Sequence, residues 1–174
     1  MSQDLLGGET CGFALTPEAE PHVENAAINY YSDVPAAEKS LHDAIAASPE
    51  CLGAYFSLYK FYFYKRRLQD AERAASNALA EAARQGGFDP DWTKLSNESA
   101  DWGKTESPQH FYLFTLKAMA FIRLRQEQGD SAMAILSKLF ELDPNDSVGA
   151  SVIQQLAFTS LNKEQAVPEK QLAL

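Results

Sequence analysis

Ten consecutive residues, Tyr55-Phe56-Ser57-Leu58-Tyr59-Lys60-Phe61-Tyr62-Phe63-Tyr64, hold seven of the chain's 19 aromatic side chains, and Lys65-Arg66-Arg67 follow directly. Such chemistry recognises rather than reacts. Ring faces bury apolar groups, and cations beside them pair with carboxylates. On a helix these residues cannot all face one way. Tyr55, Leu58, Tyr59 and Tyr62 form an i, i+3, i+4, i+7 stripe suited to the inside of a helical hairpin. Phe56, Lys60, Phe63 and Tyr64 fall on another side, available either to a partner or to neighbouring helices.

Residues that could carry catalysis lack the spacing for it. His22, His42 and His110 fit no metal motif, and no GxxxxGK[ST], GxGxxG or GxSxG occurs. Asp89, Asp91 and Asp101 lack calcium-loop spacing and read as loop solvation. Cys11 and Cys51 stand 40 apart without a CxxC or Cys/His cluster, which suggests ordinary reduced thiols. The expectation is a binding protein rather than an enzyme, with no cofactor and no metal.

The elements that position the aromatic stretch follow from a repeat. Ala37, Leu41, Ala44 and Pro49 recur as Ala71, Ala75 and Ala78 after 34 residues, and as Ala132, Leu136, Leu139 and Pro144 after a displacement of 61 from the middle set. Small or apolar residues at steps of four and three, repeated at this length, mark a helix-turn-helix unit. Thr16-Pro17-Glu18, Ser32-Asp33-Val34-Pro35 and Ser107-Pro108 are helix starts, Gly86-Gly87 a stop, and Asn145-Asp146 a cap for a last helix. The pattern predicts an all-α fold of seven helices, three pairs and a closing helix. Their spans are about 17–31, 33–48, 51–65, 68–85, 108–127, 130–142 and 147–162. Residues 1–15 and 163–174 are expected to be flexible, around a single domain over 16–162.

Composition narrows the setting. At 174 residues, 45% hydrophobic and 22% charged, the chain suits one soluble domain. No apolar run reaches 18 residues, so no membrane span is predicted, and no basic residue precedes the short apolar stretches of residues 1–16. Those readings favour the cytoplasm. Of the net charge of −9, residues 1–50 carry nine acids against one base, whereas residues 51–85 carry three acids against six bases. The acidic end argues against nucleic acid, which needs a basic face.

The repeated positions resemble the tetratricopeptide repeat family, whose units are 34-residue helical hairpins. Tyr55, Leu58, Tyr59, Tyr62, Ala71, Ala75 and Ala78 match its pattern in the middle unit (about 52–85), although Tyr59 stands at a position usually small and Ala83 replaces the closing proline. Leu116, Met119, Ala120, Ala132, Leu136, Leu139 and Pro144 match it in the third (about 113–146), with Arg123 in place of an aromatic. The first unit (about 18–51) matches only through Ala37, Leu41, Ala44 and Pro49. The resemblance implies a right-handed stack of hairpins, a TPR-like α-solenoid, capped by 147–162. First helices of such pairs line a concave groove. That alignment assigns Phe56, Lys60, Phe63, Tyr64, Lys117, Phe121 and Arg125 to a partner-binding surface, suited to a peptide with apolar anchors and acidic neighbours. A family variant that grips terminal carboxylates needs a Lys/Asn set; the corresponding positions here hold His22, Ala26, Phe56, Lys60, Lys117 and Phe121, so that activity is not implied.

An insert over 86–107 carries Trp92 and Trp102, ten residues apart. Ordering 22 residues costs more than two tryptophans return, so a partly packed flap is expected, with the tryptophans as anchors or as partner contacts. Three functions stay open at this level: an adaptor or chaperone-like protein holding a peptide segment, a structural protein whose stack self-associates as a weak homodimer, and a chaperone similar to the short acidic three-repeat chaperones of bacterial type III secretion systems, which hold translocator segments.

Overall fold

The computed structural model describes residues 13–165 and contains only helices there: α1 (Glu20–Asn29), α2 (Val34–Ala47), α3 (Leu52–Tyr64), α4 (Leu68–Gly86), α5 (Pro108–Arg125), α6 (Gly129–Leu142) and α7 (Ala150–Gln165). Most of the ends expected to be flexible, and Cys11, lie outside the described residues. Local chemistry explains the starts and stops. Asp33 caps α2 by accepting from the Ala36 N–H at 3.0 Å, and Pro35 occupies its first turn. Ser107 caps α5 by accepting from the His110 N–H at 3.2 Å. Gly87 ends α4 with φ +74°, where the N–H groups of Gly87 and Phe88 both reach the Ala83 carbonyl.

Successive helices pack on one another: α1 on α2, α2 on α3, α3 on α4 and α5, α4 on α5, and α5 on α6 and α7. Ala71, Ala74, Ala75, Ala78, Ala82 and Ala83 are buried with a single larger side chain, Leu79, so α4 presents little side-chain bulk to the helices packed on it. Helix α5 is the hub. All twelve residues from 111 to 122 are buried, which leaves the middle of this helix without a solvent face. Tyr59, expected to lie along a neighbouring helix, is fully buried, with Phe56 against it edge-on at 5.4 Å.

The α3–α4 and α5–α6 hairpins share one turn. Arg66 (φ 60°) and Glu127 (φ 62°) are left-handed at equivalent positions 61 residues apart. The N–H of Arg67 meets the Tyr62 carbonyl, and that of Gln128 meets the Arg123 carbonyl, both at 2.9 Å. The α1–α2 connection has no such residue.

Candidate functional site: an aromatic groove between α1 and α3

The groove is built from two helix faces. Helix α3 turns Phe56, Ser57, Lys60, Phe61 and Tyr64 toward α1, which contributes Val23, Ala26 and Ala27, and toward the turn after it, which contributes Tyr30 and Tyr31; Leu41 of α2 lies with them, and together they line an open groove of about 610 Å³. Side chains hold the two walls at one end. Lys65 Nζ donates to the Tyr30 carbonyl at 2.7 Å and lies 3.7 Å from the centroid of the Tyr30 ring, which packs edge-on to Phe61 at 6.0 Å. Burial first, and then the neighbouring Tyr31, raises the Tyr30 phenol above its ordinary value. Lys60 Nζ lies 5.3 Å from the Phe56 ring and 5.9 Å from the Tyr64 ring, which sets a cation among aromatic faces. Ile28 and Tyr31, 77% and 90% exposed, extend the apolar surface along the end of α1 and the turn after it.

Phe56, Lys60 and Tyr64 are thus brought together in this groove. The others are not. Phe63 is half-buried against Phe121, their centroids 5.2 Å apart. Phe121 is 7% exposed and belongs to the core, which corrects its assignment to a binding face. Lys117 needs the same correction: at 8% exposure its ammonium donates to the Val148 carbonyl at 2.6 Å and lies 4.4 Å from the Phe114 ring. The segment leading into α7 supplies that carbonyl, so a position that alignment with α3 opens to a groove is closed here. Arg125 is exposed at the end of α5 and does not line the α1–α3 groove.

The chain is similar to an uncharacterized 19.8 kDa protein in the nifW 5′ region of Azotobacter chroococcum mcd 1. The two are 28% identical over 141 residues, covering 80% of this chain and 77% of that protein. No family model matches the chain, and no solved structure matches it significantly.

The insert is folded into the body more fully than two anchors allow. Trp102 is buried and its Nε1–H donates to the Ser96 carbonyl at 3.0 Å, while Phe88 packs against Trp102 and Tyr112 at 5.1 and 5.0 Å. Trp92 opens a 3-10 turn, Trp92–Lys94, and is half-buried on the core. The missing anchors are polar and lie far off in sequence: the Tyr112 hydroxyl donates to the Pro90 carbonyl at 2.8 Å, and Lys138 Nζ to the Leu95 carbonyl at 2.8 Å. Desolvation pushes the Tyr112 phenol well up, consistent with a hydroxyl committed to that bond.

Sequence reasoning missed Tyr30 and Tyr31, because the first helix of the first unit lacks the repeat's apolar pattern. The adjacent tyrosines at the end of α1 were the available signal. Among the described residues no group of three or more His, Cys, Asp or Glu could hold a metal ion, and no helix is long and apolar enough to cross a membrane.

Proposed function

We propose that the chain is a tetratricopeptide-like interaction module that holds a peptide segment of another protein in the α1–α3 groove, acting in the cytoplasm without covalent chemistry. The groove itself carries this reading. It concentrates Tyr30, Tyr31, Phe56, Phe61 and Tyr64 around Lys60, a surface that would bury apolar anchors and pair with an acidic neighbour. The turn shared by two hairpins 61 residues apart supports the repeat resemblance.

The test is capture of proteins from the host lysate by wild type and by a Lys60→Glu/Tyr64→Ala variant of equal helicity, followed by titration of the captured segment. The variant should weaken binding about tenfold or more, equivalent to ~1.4 kcal/mol. Equal affinity for both proteins would remove the groove from the mechanism. Lys117 is unsuited to this test, since reversing a buried charge disturbs the core.

Self-association is a second reading, favoured by apolar residues exposed at the first and last helices: Ile28 on α1 with Tyr31 in the turn after it, and Val152 and Phe158 on α7. Contact between these unlike faces would be heterologous and would grow with concentration in light scattering.

A further inference from the structure

We propose that residues 1–12 of this chain are a tethered ligand of the α1–α3 groove, so that a partner segment binds by displacing the protein's own N-terminus. The inference rests on the groove being the binding site. It starts from where residues 1–12 join the described body. A Cβ built on Gly53 would meet the Phe13 carbonyl oxygen at 3.0 Å and the Ala14 carbonyl oxygen at 3.3 Å, so the chain crosses directly over the first turn of α3. The Phe13 ring fixes the crossing by packing edge-on against Phe111 at 4.7 Å. Gly53, Phe56, Ser57, Lys60 and Tyr64 succeed one another along a single face of α3, at helical steps of three and four. Residues 1–12 are therefore attached at the head of the same stripe that forms one groove wall.

Reach and chemistry both fit. Phe56 to Tyr64 is eight residues, about 12 Å along a helix. Leu6 is seven residues from Phe13, a tether of up to about 23 Å when extended. The segment reads Met1-Ser2-Gln3-Asp4-Leu5-Leu6-Gly7-Gly8-Glu9-Thr10-Cys11-Gly12, with apolar anchors at Leu5 and Leu6, acids at Asp4 and Glu9, and no base. That is the composition the groove selects: apolar side chains for the tyrosine and phenylalanine rings, and a carboxylate for Lys60. A short tether gives such a segment a millimolar effective concentration, enough to exclude weak ligands while yielding to a tight one.

The experiment uses the full-length chain and a fluorescein-labelled synthetic peptide of residues 1–12, read by fluorescence anisotropy. An Asp4→Lys/Leu5→Ser/Leu6→Ser variant should bind the peptide at least tenfold more tightly than wild type, whose groove is already filled. Adding Lys60→Glu to that variant should reverse the gain. Equal binding by wild type and the triple variant, absence of binding by the triple variant, or binding indifferent to Lys60→Glu would each overturn the proposal. A wild-type dimer lost in the triple variant would also overturn it, in favour of exchange between copies. If the triple variant ignores the peptide yet binds a captured partner segment in a Lys60-dependent way, the tether falls and the groove stands. If no ligand of either kind depends on Lys60, both fall.

Discussion

At the scale of single residues, Glu38 joins α2 to the α3–α4 hairpin. Its Oε1 accepts from the Tyr62 hydroxyl at 2.8 Å, and its two oxygens take the Arg67 guanidinium at 2.5 and 3.1 Å. Arg67 also pairs with Asp70 at 2.7 Å, and its guanidinium lies 4.7 Å from the Tyr62 ring. The Arg67 guanidinium first, and the Tyr62 hydroxyl with it, hold the Glu38 carboxyl below its ordinary value of 4.5 against the opposing effect of burial. Burial foremost, followed by the bond to Glu38, pushes the Tyr62 phenol up to about 12. A carboxyl with a depressed folded value binds protons less readily than in the unfolded chain. The stability it contributes is therefore complete above about pH 4.5 and is lost as pH falls through the lower folded value. At pH 7, Glu38→Gln should cost about 1–2 kcal/mol, or about 2–8 °C in Tm, discounting for the partial exposure of the pair. Below pH 4.5 the gap between wild type and variant should close. Melting curves that stay parallel down to pH 3 would show that this carboxylate is not coupled to folding.

At the scale of elements, the left-handed residues Arg66 and Glu127 test whether two hairpins are built alike. A side chain at φ near +60° crowds the following carbonyl, a strain that glycine escapes. Arg66→Gly and Glu127→Gly should each stabilise the protein by about 0.5–1 kcal/mol, and by similar amounts. Opposite signs in chemical denaturation would show that the turns only look equivalent. The same elements show what was legible in advance. Seven helices follow from the spacing of Ala37, Ala71 and Ala132 and from caps such as Asp33 and Ser107, all local signals. Of the stripe Tyr55, Leu58, Tyr59 and Tyr62, the last three are buried as the period implies, and Tyr55 is half-buried at the core's edge. Lys117 and Phe121 were not legible, because α5 is apolar on every side and its period singles out no face. What covers Lys117 is a carbonyl 31 residues away, at Val148, which a helical period cannot encode. The insert defeats local reading for the same reason, its anchors being Tyr112 and Lys138.

At the scale of the whole molecule, the order of packing implies an order of stability. Helix α5 is wrapped by α3, α4, α6 and α7 and by the insert, whereas α1 packs chiefly on α2 and meets α3 through Tyr30, Phe61 and Lys65. Elements with few buried contacts open at lower free energy than the core they rest on. Only Ala26 is buried within α1, against twelve residues within α5. The groove thus has one firm wall, α3, and one wall able to yield. Native-state hydrogen exchange should place α5 amides at the free energy of global unfolding and α1 amides well below it, with α2 between. A ligand that bridges both walls should raise protection in α1 far more than in α5, because only α1 has protection left to gain. Protection in α1 equal to that in α5 without ligand would mean that the groove is rigid on both sides, and that an incoming segment must fit the opening as it stands.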